Sequence, residues 1–140
     1  MFELIPPNRG TDKWGSGHYH ASRGTHLHNG VDKLAMAGSQ LKSLTDGYVT
    51  KLGFAYADDL SYRYVQVSDG QGHDLRYFYL DPKVEVDQRV YKGDILGEVQ
   101  NLGRRYAGIG NHFHFEVRLN GGFIDPEQYI LTLRTGRVAA

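Results

Sequence analysis

The sequence predicts a mainly β domain, and three observations support this prediction. Apolar and polar residues alternate in several short runs. Glycine is frequent, with 18 residues among 140, and it stands with Asp, Asn and Pro between these runs. No stretch repeats its apolar residues with the period of a long helix. Alternation with period two indicates strands that bury one face, and such turn residues connect strands.

The alternating runs give five strands in chain order: 47–55, 62–69, 74–80, 94–100 and 112–119. Turns are predicted where Gly, Pro, Asp and Asn cluster, at "SDGQGHD", "LDPK", "YKGD" and "LNGG". The first 27 residues are rich in Gly, Pro and polar groups and are predicted to be loop. The segment "DPEQYILTL" (125–133) predicts a terminal turn of helix followed by a last apolar segment.

Length and composition exclude several classes of protein. A chain of 140 residues fits one domain that can bury a sizeable core. Its 16 basic and 16 acidic residues cancel, so no strong field predicts binding to nucleic acid or an anionic membrane. The only tight basic pair, Arg104 and Arg105, is predicted to lie in a solvated loop. No signal peptide or membrane span is recognised, and the sequence gives no indication of oligomeric state.

Cysteine is absent, so any metal site must use His, Asp or Glu. The strand "HFHFEVRL" (112–119) provides two candidates on one face. Alternation places His112, His114, Glu116 and Arg118 on that face, and the apolar residues between them on the opposite face. One face would therefore pack against the core while the other carries imidazoles and charges.

A second cluster, "THLHNGVD" (25–32), places His28 four residues before Asp32. Gly30 between them lets the chain bend so that both side chains reach one point. An imidazole and a carboxylate suit Zn²⁺. With either His112 or His114 they would form a three-ligand site whose fourth position is open to water. The other histidine of the pair would then lie beside that water, placed to take its proton.

The two motifs together resemble the LytM/lysostaphin-type zinc endopeptidases, which cleave bacterial cell-wall peptides. "HNGVD" is similar to the H-x-G-x-D segment of this family, and "HFHFE" to its H-x-H-F-E segment. The intervening stretches "DGYVTKLG" and "RVYKGDILGEVQNLG" follow the family's usual order, and "IDPEQYI" resembles its closing segment. The resemblance covers about residues 15–131, leaving 1–14 as an N-terminal extension and 132–140 as a tail of a single peptidase domain.

The resemblance implies that His28, Asp32 and His114 bind one Zn²⁺ per chain and that His112 is catalytic. It also implies a central antiparallel sheet with a duplicated hybrid motif and long loops that form a groove, one wall of which is "GSGHYHASRG". His18, His20 and His26 fall outside the matched ligand positions and are predicted to be loop residues at the groove edge. The implied partner is peptidoglycan peptide, and the implied place of action is the bacterial cell wall or periplasm.

The chain departs from the family at one position. Where the family usually carries a second catalytic histidine, in a Y-x-H-L segment, this chain has "YFYL" (77–80) and therefore Tyr79. His73, six residues earlier, is a poor substitute. Leu75, Tyr77 and Tyr79 are predicted to share one strand face, and by the resemblance Tyr79 faces the metal. A phenol with a pKa of about 10 is a poor base at neutral pH, but it can donate a hydrogen bond to an oxyanion.

Two other functions remain open at this point. The Tyr79 hydroxyl could instead reach the zinc or displace its water, which would give a zinc-stabilised binding or signalling module. A secreted vertebrate member of the family that is regarded as non-enzymatic also has "FY" at this place. Separately, "GSQLKSLTDGYVTKLG" and "DQRVYKGDILGEVQNLG" echo each other and resemble the hybrid motif of lipoyl and biotin carriers. Those carriers present a Met-Lys-Met-type lysine, which is absent here.

Overall fold

The computed structural model describes residues 7–12, 15–23 and 28–135. His26 lies outside these residues. The strands, in chain order, are β1 Thr11–Asp12, β2 Gly15–Ser16, β3 Val31–Leu34, β4 Gln40–Lys42, β5 Gly47–Phe54, β6 Arg63–Ser68, β7 His73–Phe78, β8 Leu80–Pro82, β9 Arg89–Val90, β10 Ile95–Val99, β11 His112–Leu119 and β12 Gly122–Ile124. A short 3-10 helix spans Leu102–Arg104 and one α-helix, α1, spans Pro126–Thr135. Among the described residues, no helix is both long and apolar enough to cross a membrane.

The main sheet has the strand order β12-β11-β7-β6-β5-β9, and every neighbouring pair is antiparallel. Strand β3 also pairs with β11, along the first half of that strand, while β12 pairs with its last half. A second, three-stranded sheet has the order β4-β10-β8. The prediction of a mainly β fold with a central antiparallel sheet is therefore confirmed.

The core lies between the two sheets and follows the predicted alternation. On β11, Phe113, Phe115 and Val117 are buried in the hydrophobic cluster, and the histidines and Glu116 point to the other face. Buried residues of the main sheet meet those of the small sheet, which are chiefly Leu41, Leu80, Leu96 and Val99. Burial of this continuous apolar surface stabilises the sheet and leaves the opposite face of β11 available for a site.

The two echoing segments pair with each other. The first contains β4 and β5, and the second contains β9 and β10. Strand β4 pairs with β10 while β5 pairs with β9, both antiparallel. The sequence echo thus corresponds to two similar strand–turn–strand units that join the two sheets.

The predicted turn at "LDPK" is wrong, because Leu80–Pro82 forms strand β8 and pairs with β10. The strand predicted at 74–80 is broken at Tyr79, which has a left-handed backbone with a φ of 71°. This one residue turns the chain out of the main sheet and into the small one. The predicted turn at "LNGG" is confirmed: Asn120 and Gly121 have φ of 50° and 89°, as a tight type I′ hairpin requires.

The first 27 residues are not loop throughout. Strands β1 and β2 pair as a small hairpin, and Asn8 forms an antiparallel bridge with Lys33 of β3. The backbone N–H of Arg9 donates to the carbonyl of Asp32 at 2.6 Å. Tertiary pairing orders this segment although its composition is that of a loop, and it brings Arg9 beside the predicted site.

Helix α1 continues through the predicted last apolar segment to Thr135, beyond the start of the predicted tail. Asp125 begins it, because its carboxylate accepts the backbone N–H of Glu127 at 3.0 Å, and Pro126 occupies the first helical position. The helix buries Tyr129 and Ile130 against the core. These contacts extend the structured part of the chain beyond the predicted single turn.

Candidate metal centre

Pairing between β3 and β11 brings the two histidine motifs together. Asp32 lies directly opposite His114 in the antiparallel register, so their side chains emerge on the same face. His28 precedes β3 and is held by two backbone hydrogen bonds, to Ala21 and from His20. Both His28 and Asp32 are buried.

The three predicted ligands converge. His28 Nε2 and His114 Nδ1 lie 2.9 Å apart, His114 Nδ1 and Asp32 Oδ1 lie 2.9 Å apart, and His28 Nε2 and Asp32 Oδ1 lie 3.1 Å apart. Bonds of the length that Zn²⁺ forms with His and Asp give a tetrahedron with edges of about 3.3 Å. The triangle needs to expand by only about 0.4 Å or less to fit three of the four corners. The donor set, two imidazoles and a carboxylate, is one that zinc accepts.

Each of the three residues makes a hydrogen bond on the side away from the triangle. This bond holds the side chain so that its other polar atom faces the triangle. His28 Nδ1 donates to the carbonyl oxygen of His18 at 2.9 Å, and His114 Nε2 donates to Glu116 Oε1 at 2.9 Å. Asp32 Oδ2 accepts from the Arg9 guanidinium at 3.0 and 3.2 Å, which leaves Oδ1 facing the triangle. Such outer partners fix the tautomer and orientation of metal-binding residues.

The site has a distinctive charge balance. Burial would raise the pKa of Asp32, but hydrogen bonds from His114 and His28 hold it well below its ordinary range. Burial would lower the pKa of His114, but its hydrogen bonds to Asp32 and Glu116 outweigh burial and raise the pKa to about 9. The centre therefore attracts a positive charge, which a divalent ion can provide in place of the proton.

His112 lies beside the triangle but outside it. Its Nδ1 donates to the carbonyl oxygen of Gly110 at 2.8 Å, so the Nε2 lone pair is available. Nε2 lies 3.6 Å from Asp32 Oδ2. Burial lowers the pKa of His112 below its ordinary value of 6.5, so the ring is neutral at pH 7. A neutral imidazole with an available lone pair can act as a general base.

Tyr79 faces the site, but not for the predicted reason. Leu75 and Tyr77 are fully buried in the core, so the predicted common face of these residues with Tyr79 is wrong. The left-handed φ of Tyr79 reverses the alternation and turns its ring to the other side of the sheet, 5.6 Å from the His112 ring. Two backbone hydrogen bonds of 2.8 Å, to Arg63 and from Gln100, hold this conformation. Bulky residues rarely adopt it, and such strain concentrates at functional sites.

These side chains line a cleft of about 300 Å³. Its walls also contain Arg9, Arg23, Asn29, Tyr106, Ile109 and Glu116. Arg23 belongs to the segment predicted to form a wall, and Glu116 was predicted to share the strand face of His114. Arg9 and Tyr106 carry no such signal, because only tertiary folding brings them here.

The remaining predicted residues have other positions. His18 contributes through its backbone carbonyl, while the ring of His20 stacks on Tyr19 at 3.9 Å. His73 begins β7, at the opposite end from Tyr79, and hydrogen bonds with Asp69 at 2.8 Å. It is not part of the cleft lining. Of the predicted solvated pair, Arg104 is exposed, whereas Arg105 is only partly exposed, because its guanidinium stacks 3.7 Å from the centre of the Tyr56 ring.

Glycine is needed at position 30 because strand β11 approaches it closely, and not because the chain has to bend there. A Cβ atom here would lie 2.2 Å from the carbonyl oxygen of Phe115 and 3.0 Å from His114 Cε1. We expect Gly30→Ala to destabilise the protein by about 1–3 kcal/mol through overpacking and to reduce its zinc content. Urea unfolding in the presence of a chelator measures the packing effect alone. Gly10→Ala is the control, since a Cβ there meets nothing within 4 Å; equal stability of the two variants would contradict the prediction.

Comparison with known proteins identifies relatives of this chain. The model of Peptidase family M23 matches residues 26–126. Leukocyte cell-derived chemotaxin-2 of Bos taurus is 30% identical over 122 residues, which cover 87% of this chain and 78% of the relative. DD-carboxypeptidase/endopeptidase Mpg of Neisseria meningitidis serogroup B is 29% identical over 104 residues, 71% of this chain but only 22% of that protein.

Solved structures agree with the sequence comparisons. The structure of LytU is similar with a TM-score of 0.67 at 27% identity, covering 89% of this chain and 86% of that one. Lysostaphin from Staphylococcus simulans has a TM-score of 0.68 at 19% identity, covering 97% of this chain and 58% of that one, and shows the common fold. The family match includes both histidine motifs and most of the two sheets. This chain belongs to peptidase family M23.

Proposed function

We propose that this protein is a zinc-dependent endopeptidase that hydrolyses peptide bonds of bacterial peptidoglycan, in a cross-link or a stem peptide. The observation that carries the proposal is the convergence of His28, Asp32 and His114 in one cleft beside a third histidine, His112, whose hydrogen bonds lie outside the triangle. A structural zinc site has no need for such an imidazole. Membership of a peptidase family supports the reaction class, and the family resemblance supports the substrate and a site of action at the cell wall or periplasm.

The proposed roles follow from the position of each residue. His28, Asp32 and His114 would hold the zinc ion, which when bound polarises the scissile carbonyl and acidifies water. His112 Nε2 accepts a proton from the attacking water and returns it to the leaving amine. Tyr79 donates a hydrogen bond to the carbonyl oxygen as negative charge develops there. Burial raises the pKa of Tyr79 to about 12, so it keeps its proton at neutral pH and acts as a donor rather than a base.

The second candidate function is a zinc-stabilised binding or signalling module with little catalysis. It is favoured by Tyr79 in place of the usual histidine, and by the similarity to a protein named as a chemotaxin. The two functions differ in turnover but not in zinc binding. Zinc content therefore cannot distinguish them, whereas hydrolysis can.

The direct test is to incubate the purified, zinc-loaded protein with peptidoglycan from several wall types and to count new amino termini. We expect release by the wild-type protein and none after chelation. Stoichiometric zinc without hydrolysis of any wall type would overturn the proposed peptidase and support the binding module.

The role of Tyr79 as a hydrogen-bond donor is tested by two substitutions, one that removes the donor and one that keeps a donor. Tyr79→Phe keeps the ring and removes the donor, and we expect kcat to fall by about 10²–10³-fold, as for the loss of one oxyanion donor. Tyr79→His restores the usual family residue, which also donates, and we expect it to keep kcat within about tenfold of wild type. An unchanged kcat in Tyr79→Phe would remove Tyr79 from the mechanism. Activity appearing only in Tyr79→His would identify the wild-type protein as the silent module.

A further inference from the structure

Three tyrosine hydroxyls are linked in a row by hydrogen bonds at one wall of the cleft. Tyr106 Oη donates to Tyr56 Oη at 2.9 Å, and Tyr56 Oη lies 3.0 Å from Tyr79 Oη. The three residues come from distant parts of the sequence, so only the fold assembles them. Arg105 covers the far end of the chain: its Nε donates to Tyr106 Oη at 3.3 Å. We call this group of Arg105, Tyr106, Tyr56 and Tyr79 the phenol chain.

The arginine favours one direction of hydrogen donation along the phenol chain. A guanidinium can only donate, whereas a phenol has one hydrogen to donate and lone pairs to accept. Tyr106 accepts from Arg105 and gives its hydrogen to Tyr56. Either hydroxyl could donate across the contact between Tyr56 and Tyr79, but donation from Tyr56 lets each phenol donate once and accept within the chain. In that direction the hydrogen of Tyr79 remains for the cleft, which Tyr79 lines.

Packing keeps the phenol chain in place. The Arg105 guanidinium lies 3.7 Å from the centre of the Tyr56 ring, within the range of a cation–π contact, and also pairs with Asp58 at 3.2 Å. The ring of Tyr62 meets Tyr56 and Tyr79 edge-on at 5.8 and 6.2 Å. Burial raises the pKa of Tyr56 as well as that of Tyr79, so both retain their hydrogens at neutral pH.

We infer that Tyr56 and Tyr106 are positioning residues that, oriented by Arg105, turn the hydroxyl hydrogen of Tyr79 into the cleft as a ready oxyanion donor. This inference rests on the proposed function, because an oxyanion arises there only during hydrolysis. A phenol that accepts one hydrogen bond is also a stronger donor of the next. With the opposite direction, Tyr79 would present a lone pair to the cleft and repel an oxyanion.

The direction of the phenol chain is tested without turnover by neutron diffraction from perdeuterated, zinc-loaded crystals. We expect the deuterium of Tyr106 between Tyr106 and Tyr56, that of Tyr56 between Tyr56 and Tyr79, and that of Tyr79 directed into the cleft. Deuterium of Tyr79 lying on the line to Tyr56 would overturn the inference. This result holds even if the protein proves not to be a peptidase, so failure of the inference and of the proposed function are distinguishable.

The consequence for catalysis is tested with Tyr56→Phe and Tyr106→Phe. Each removes one hydroxyl and keeps the ring. We expect kcat to fall by about 2- to 12-fold, the equivalent of one neutral hydrogen bond, while KM and zinc content stay unchanged. The matched control is Tyr48→Phe, because Tyr48 also accepts a hydrogen bond from an arginine, Arg89, at 3.0 Å but on an exposed face. A change in KM alone, or equal loss in the control, would overturn the positioning role.

Discussion

Replacing His112 with alanine is expected to lower kcat by about 10²–10⁴-fold, the usual contribution of a general base, while zinc content stays at one per chain. Activity and zinc binding are expected to respond differently because His112 lies outside the triangle of proposed ligands. Its Nδ1 is bonded to the carbonyl of Gly110, and its Nε2 lies 3.6 Å from Asp32 Oδ2, the carboxylate oxygen that faces Arg9 rather than the triangle. The measurement is hydrolysis of peptidoglycan together with metal analysis of the same sample.

The matched substitution is His114→Ala, in the same strand and two residues away, which should lose both activity and zinc. If His112→Ala lost the metal and His114→Ala kept it, the roles of the pair would be reversed.

The pH dependence of activity gives an independent check on the role of His112. Since burial lowers the pKa of His112 below 6.5, the neutral base persists into mildly acidic solution. Activity should therefore fall only as the pH drops below 6.5, and His112→Ala should lose this acidic limb.

The sequence predicted the centre of the site better than its surroundings. Both histidine motifs have a recognisable spacing, and the structure brings His28, Asp32 and His114 together, although their role as ligands stays a prediction. Arg9 could not be predicted, because it reaches Asp32 from 23 residues away through a segment with the composition of a loop. Tyr56 and Tyr106 are 50 residues apart and meet only through folding.

The strands show the same limit of sequence-based prediction: features that depend on tertiary pairing were not found. The long strands carry an alternating pattern and were found, with ends that differ by a few residues. Strands of two or three residues, such as β8 and β9, are too short for any period and exist because a neighbouring strand pairs with them. Tyr79 is the most informative miss. Its left-handed conformation is usually indicated by Gly or Asn, so alternation predicted that Tyr79 shares the face of Leu75 and Tyr77.

Asp32→Ala is expected to have the largest effect on stability. Asp32 is the only residue of the triangle that carries a full negative charge, and its other oxygen accepts from the Arg9 guanidinium, whose side chain is 3% exposed. Removal of the carboxylate leaves this buried guanidinium with its hydrogen bond to the Gly15 carbonyl but without the negative charge that neutralises it, and breaking a buried ion pair costs about 3–5 kcal/mol. It also removes one of the three proposed metal ligands, and with it the part of the folding free energy that metal binding would supply.

The two contributions to this loss can be separated by unfolding in urea with and without a chelator. Wild-type protein should lose stability when zinc is removed, whereas Asp32→Ala should be equally unstable in both conditions because it binds no zinc. Asp81→Ala is the matched control: it breaks an exposed ion pair with Lys83, and exposed pairs contribute about 1 kcal/mol or less.

Asp32→Asn should lose zinc as well. Its free energy of unfolding in the presence of a chelator should fall less than that of Asp32→Ala, since the amide oxygen can still accept from Arg9. A melting temperature of Asp32→Ala that still rises with added zinc would contradict this account, because His28 and His114 alone would then suffice to hold the ion.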